Sequence, residues 1–315
     1  MTSARARMIV VVSLVTALCA VACDDSPPTG NTAPSTALST VAPSPSTKTT
    51  KPVRRVRPPK VPAGMTAGYM VYDRRGARIA LQYNAQHRFR SASVVKILIA
   101  LDYLSSHRSR TAIPAGDQAL LRTMLRSSND QAATALWRRG GQVRIIQRMT
   151  ATLGLRDSGP PPAGKPGFWG YTAISAADIV RVYRYLLTHR RYGDVILGHL
   201  RRATQCGADG FDQYFGIPAA LRRPWAIKQG WSGYGSVPPV PCVRSGTADY
   251  RPATVRAPAV DLAHPVLHTT GTVGPGDRWI VVVLSLNTAG SPWRTATARL
   301  TALTKAVYRA GTMGS

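Results

Sequence analysis

The alternation of apolar and polar positions divides the chain into recognisable elements. Tyr69-Met-Val-Tyr72 and Ala77 to Tyr83 flank the turn Asp73-Arg-Arg-Gly76, which predicts a β-hairpin of two short strands. From Ser91 or Ala92 the period changes: Ile97, Leu98, Leu101 and Leu104 recur at helical spacing and predict a helix through Leu104. Further helices are predicted over Gly116 to Arg126, Gln131 to Arg138 and Val143 to Leu153. Ser175 followed by Asp178 has the form of an acidic capping box, opening a helix that carries Ile179, Val182, Tyr183 and Leu186. Ala226 to Lys228 reads as a strand. His268 to Val273, the turn Gly274-Pro-Gly-Asp277 and Trp279 to Leu286 predict a second hairpin. After Ser291-Pro292, a last helix places Leu300, Leu303 and Val307 on one face and ends near Gly311.

Strands, a block of helices, more strands and a terminal helix make an α+β fold. The expectation is an antiparallel β-sheet flanked by helices, with an all-helical subdomain inserted between parts of the sheet. This domain is expected over residues 64–312. Residues 1–23 are different: Arg5 and Arg7 precede the apolar run Met8 to Ala22, which reads as a secretory signal peptide. The run ends in Cys19-Ala-Val-Ala-Cys23, and small residues directly before a cysteine resemble a bacterial lipoprotein signal in which Cys23 is lipidated. Ordinary cleavage and release, or an uncleaved anchor, are the alternatives. Residues 24–63 are rich in Pro, Ser, Thr and Ala and turn basic in "KTTKPVRRVRPPK", a composition that cannot form a core and reads as a tether.

Charge and cysteine content narrow the surroundings. The 41 basic and 14 acidic residues leave a net charge of +27, and every acid is an aspartate; the chain contains no glutamate. Such a charge permits contact with nucleic acid, but export and the absence of aromatic stacking motifs beside the arginines favour an anionic cell envelope as the partner instead. With Cys19 lost and Cys23 lipidated, Cys206 and Cys242 remain, an even pair that forms either a disulfide or two buried thiols. No HExxH, EF-hand or glycine-rich phosphate loop occurs, so no metal or other cofactor is expected; the chain is expected to be a monomer.

The sharpest local question is Lys96, placed at the head of an apolar helix and three residues after Ser93. It either snorkels from a core helix or takes the proton of a serine on the same helix face. A serine near a helix N-terminus also has a backbone N–H suited to stabilising negative charge. Two companion motifs follow in order: Ser127-Ser-Asn129 and Lys228-Gln-Gly230. Alone, the former is a polar loop and helix cap and the latter a surface lysine before a turn.

Together the three motifs resemble the active-site motifs of the serine β-lactamase and penicillin-binding-protein superfamily, nearest to its class A β-lactamase-like branch. The resemblance runs from about residue 66 to 310. It implies Ser93 as nucleophile and Lys96 as general base, with Ser127 relaying a proton to the leaving nitrogen. The backbone N–H of Trp231 would be the second oxyanion donor. Asn129, Lys228, Gln229 and Gly230 would bind substrate: Asn129 the amide, Lys228 the carboxylate, with Gln229 in place of a hydroxyl residue and Gly230 allowing close approach. Trp169, Tyr171, Trp225 and Trp231 are candidates to line the cleft or are ordinary core aromatics. The implied substrate is a β-lactam or a D-alanyl peptidoglycan stem peptide.

One departure bears on turnover. Class A enzymes are similar to one another in using a glutamate-positioned water to release the acyl group, and this chain has no glutamate. The corresponding segment, "GLRDSGPPPAGKPGFWGYTAIS", offers only Asp157, as a loop cap or a displaced base. The expected function is therefore an exported serine hydrolase that forms an acyl-enzyme. The alternatives are a catalytically degenerate penicillin- or peptidoglycan-binding envelope lipoprotein, and a non-catalytic envelope protein.

Overall fold

A computed structural model describes residues 56–107, 112–242 and 260–313; the signal-peptide, lipobox and most tether assignments lie outside the described residues. Among the described residues, seven strands and eight α-helices run in the order β1 (Met65–Asp73), β2 (Arg78–Tyr83), β3 (Phe89–Arg90), α1 (Lys96–Ser105), α2 (Ala115–Arg126), α3 (Asp130–Arg139), α4 (Val143–Leu153), β4 (Ala173–Ile174), α5 (Ala176–Thr188), α6 (Arg190–Leu200), α7 (Ile217–Ala220), β5 (Trp225–Ser232), β6 (Val266–Val273), β7 (Trp279–Asn287) and α8 (Trp293–Thr312). The main sheet has the order β2-β1-β7-β6-β5 with antiparallel pairings throughout, and β3 pairs with β4 in a small second sheet. This is the expected α+β architecture of an antiparallel sheet flanked by helices.

Both faces of the sheet are covered, which explains the unbroken apolar run of β7. Successive side chains of a strand point to opposite faces. Val281 and Val283 therefore join Tyr69 and Val71 of β1 against Leu300, Leu303 and Val307 of α8. Ile280, Val282 and Leu284 face the other way, into a second core with Met70, Tyr72, α1 and α5. Helix α1 lies inside that second core: Lys96 to Asp102 and Leu104 are all buried. A helix surrounded on all sides is apolar all round, so its single lysine is enclosed too.

The structure sharpens several local expectations. The helix expected from Ser91 or Ala92 begins as a 3-10 turn over Ala92–Val95, and regular α geometry starts only at Lys96. Ser175 caps α5 by accepting from the Asp178 N–H at 3.1 Å. The Asp178 carboxylate does not complete the box. It instead accepts the N–H groups of Arg156, Asp157 and Ser158, fastening the proline-rich loop to α5. Helix α6 has no counterpart among the elements predicted from sequence. It follows α5 after a single residue, His189, and returns so closely that a Cβ on Gly193 would lie 1.7 Å from the Leu186 carbonyl oxygen. A close crossing of this kind requires glycine and leaves no loop composition to mark the boundary.

Edge strand β5 and the chain entering α1 are joined through β6. His268 is buried; its Nδ1 accepts from the Ser285 N–H at 3.1 Å, so Nε2 carries the proton and donates to the Arg90 carbonyl at 2.8 Å. Burial pulls the imidazole down to about 4, and the Arg90 guanidinium adds to the effect. The unfolded chain binds this proton near pH 6.5, so between pH 6.5 and 4 it holds more protons than the folded protein. Stability is accordingly expected to fall as pH drops through that window, by on the order of 3 kcal/mol for this group. Urea unfolding midpoints measured between pH 7 and 4 should show the loss, and His268→Gln should flatten it; an equally steep slope in the variant would refute the assignment.

Candidate functional site

Two glycine-like backbone turns aim the site. Ala92 has φ +42° and Ser128 φ +59°, conformations that cost a non-glycine residue roughly 1–3 kcal/mol each. The first turns the chain so that Ser93 stands at the mouth of α1. The second lies between α2 and α3 and directs the Ser128 side chain inward. Lys96 rises between them and is fully buried.

The contacts are short. Lys96 Nζ lies 2.8 Å from Ser93 Oγ, 2.5 Å from the Ser128 carbonyl oxygen, 3.3 Å from Ser128 Oγ and 2.5 Å from Asp130 Oδ1. Lys228 Nζ, also buried, donates to Ser128 Oγ at 2.8 Å and to its neighbour's carbonyl, Gln229 O, at 2.9 Å. The Ser128 hydroxyl is thus shared by two lysines. The Trp169 ring covers Lys96 at 4.7 Å from its centroid.

Burial pulls both amines below their usual range, because an ammonium loses its hydration in the core. For Lys228 the nearby Lys96 adds to this; for Lys96 the Asp130 carboxylate works in the opposite direction. An amine held in this way can accept a proton from a hydroxyl within hydrogen-bond reach.

The register of the second motif differs from the one read in the sequence. Ser127 closes α2, and its hydroxyl turns back to the Thr123 carbonyl at 2.9 Å, away from the lysines. Asn129 is the N-cap of α3, its Oδ1 accepting from the Ala132 N–H at 2.8 Å. The residues that meet the lysines are therefore Ser128, which touches both, and Asp130, which touches Lys96, while the Asn129 side chain is held in the cap and not at the substrate position read for it in the sequence. Two adjacent serines leave the frame ambiguous, and the capping preference of asparagine is the signal that resolves it.

The third motif follows strand alternation. Ala226 packs with the helical core, and Lys228 and Gly230 lie on that same face, where α1 begins. Gly230 sits so near that a Cβ there would come within 3.0 Å of Ser91 O and 3.3 Å of Ser93 N. Gln229 points the opposite way and is buried, donating to the Phe215 carbonyl at 2.5 Å. Its side chain is therefore not brought to the site, a correction of the sequence reading. Trp225 packs in the α8-side core against Tyr214 and Arg223. Trp231 packs on Phe211, Phe215 and Trp293, on the face of the strand opposite Lys228 and Gly230. Tyr171 stacks on Phe168, leaving Trp169 as the aromatic against the lysine.

Sequence reading missed Asp130 and Asp209. Asp209 accepts from the Trp231 indole at 3.0 Å and from Phe211 N at 3.2 Å, and burial raises its pKa. Asp157 receives the Ser175 hydroxyl at 2.8 Å and serves as a loop anchor. Among the described residues, no three His, Cys or acidic side chains gather where they could hold a metal ion.

Cys206 and Cys242 form a disulfide with Cα atoms 5.4 Å apart. It closes the segment containing Asp209 and β5, and Ala208 N donates to the Ser127 carbonyl at 2.7 Å, joining that segment to the second motif.

The fold is that of class A β-lactamases and penicillin-binding proteins. Structural similarity extends to PBP-A in an acyl-enzyme complex with penicillin G (15% identity, 79% of this chain, 90% of that one, TM-score 0.55). It extends equally to the class A β-lactamase of Mycobacterium abscessus (16% identity, 80% and 95%, TM-score 0.53) and to a β-lactamase from Sphaerobacter thermophilus (17% identity, 79% and 93%, TM-score 0.54). No family model matches the chain. Lipoprotein LppW of Mycobacterium tuberculosis, and its counterpart in Mycobacterium bovis, are each 31% identical over 262 residues, covering 81% of this chain and 72% of theirs. The chain belongs to the LppW family. Its kinship with named bacterial lipoproteins supports an extracytoplasmic, lipid-anchored location.

Removing the disulfide should loosen the Asp209 segment. For a bridge spanning 36 residues, chain entropy predicts a loss of about 3–4 kcal/mol. A paired Cys206→Ser, Cys242→Ser variant should show that loss in urea unfolding. A variant as stable as the parent would show that the bridge does not brace the fold.

Proposed function

We propose that this protein is an exported serine hydrolase that forms an acyl-enzyme through Ser93, on a β-lactam or a D-alanyl peptidoglycan peptide. The observation that carries this reading is the 2.8 Å contact between Ser93 Oγ and the fully buried Lys96 Nζ, with the Ser128 hydroxyl bridging to Lys228. Lys96 acts as general base: it takes the Ser93 proton as Oγ attacks the carbonyl. Ser128 takes over the relay role that the family resemblance suggested for Ser127, passing a proton to the leaving nitrogen. Lys228 supplies positive potential for the substrate carboxylate. The backbone N–H groups of Ser93 and Trp231 receive the oxyanion, and the missing side chain at Gly230 is what allows β5 to approach Ser93 closely enough.

The substrate class rests on the fold, since both β-lactams and D-alanyl peptides offer an attackable carbonyl near a carboxylate. Lipidation is assigned to Cys23, which would tether the domain to the outer face of the membrane through the basic, proline-rich segment. A second reading, a penicillin- or peptidoglycan-binding lipoprotein that acylates without turning over, is favoured by the complete lack of glutamate.

The test is intact-mass analysis after incubation with a fluorescent penicillin. The protein should gain one covalent adduct, and Ser93→Ala should gain none. Ser128→Ala should slow adduct formation by about 100-fold or more, whereas Ser127→Ala should stay within a few-fold of the parent. An adduct that persists in Ser93→Ala, or the opposite ranking of the two serine variants, would reject the assignment. Adduct that never decays would select the second reading.

A further inference from the structure

Resting on the acyl-enzyme reading, we propose that Asp130 is the general base that activates water for release of the acyl group. Three observations converge on it. Asp130 opens α3 directly beside the nucleophile pair, its Oδ1 lying 2.5 Å from the same Lys96 Nζ that contacts Ser93 Oγ at 2.8 Å. Its side chain is 31% exposed while that of Lys96 is fully buried, so this acid stands where the buried cluster meets solvent. Among the described residues, its second oxygen, Oδ2, receives no hydrogen bond, which leaves it open to a water molecule.

Asp209, the other carboxylate that acts on Lys96, is committed. It already accepts on both oxygens, from Phe211 N and the Trp231 indole. Asp157 holds Ser175 at the start of α5.

The step balances with no further reactant than water. Asp130 Oδ2 takes a proton from water as the water oxygen bonds to the ester carbon of acylated Ser93. Collapse of the tetrahedral intermediate breaks the bond between that carbon and Ser93 Oγ. The protonated Asp130 carboxyl turns Oδ2 toward the Lys96 Nζ that Oδ1 already touches and hands it the proton, and Lys96 passes a proton to the departing Ser93 Oγ across the 2.8 Å contact. The free serine, the lysine and the carboxylate are restored, and the acyl group leaves as a carboxylic acid. The geometry also explains how a chain without glutamate could turn over: the acid comes from the second motif instead of from the loop between the second and third.

The experiment follows adduct lifetime with a fluorescent penicillin in the full mature protein and in Asp130→Asn, Asp130→Glu and Asp209→Asn, each checked for folding by thermal unfolding. The parent should form an adduct that decays to hydrolysed product. In Asp130→Asn the adduct on Ser93 should still form but live about 100-fold longer or more. Asp130→Glu should recover part of the turnover. Decay of the Asp130→Asn adduct within three-fold of the parent would overturn the proposal, as would a parent adduct that does not decay. A long-lived adduct in Asp209→Asn but not in Asp130→Asn would also overturn it, moving the role to Asp209. No adduct in the parent would instead remove the acyl-enzyme reading itself, and this inference with it.

Discussion

The constraint on which the site depends is the burial of Lys96. A charged amine enclosed in a protein core costs several kcal/mol unless it is well partnered, and α1 places this one amid apolar side chains. Ser93, the Ser128 carbonyl and Asp130 surround its nitrogen with acceptors, and the Trp169 face lies above it. Much of the surrounding architecture can be understood as delivering those partners. The left-handed turns at Ala92 and Ser128 are tolerated because they aim two serines at one amine. The tension is chemical as well as structural, since burial favours the neutral amine and Asp130 favours the charged one.

The sheet supplies the second lysine and the rigid reference. Among the described residues strand β5 lies at the sheet edge and pairs with β6, and it must pass close to Ser93 for Lys228 to reach Ser128. Three devices fix its position: the missing side chain at Gly230, the His268 bridge from β6 to the Arg90 carbonyl, and the disulfide behind the Asp209 segment. His268 thereby couples sheet and nucleophile through the backbone just before Ser91. The face of β5 pointing away from the site is spent on packing, with Trp225, Ile227, Gln229 and Trp231 turned toward the α8 side.

The strongly periodic elements were legible in the sequence because burial on one or both faces leaves a pattern of 3.6 or 2. Helix α4 occupies the predicted span Val143–Leu153, and the hairpin of β6 and β7 has the expected turn. Helix α6 was not legible: its boundary with α5 is one histidine wide and depends on the close crossing at Gly193. In the site, Ser93, Lys96 and Lys228 were readable as motif positions. The serine beside them was misread by one place, because a run of two serines has no intrinsic register.

The chain by itself determined which groups are available: a serine and lysine one turn apart, a second lysine on a strand, aspartates but no glutamate, and two cysteines to bridge. Tertiary structure decided which of them meet. The positive φ of Ser128 brings its hydroxyl, and not that of Ser127, between the lysines. Strand alternation sends Gln229 into the opposite core, and the start of α3 sets Asp130 against Lys96. The physical reason is that composition and spacing fix chemistry and local period. Side-chain direction depends on backbone angles at single residues, and on what the other elements leave room for.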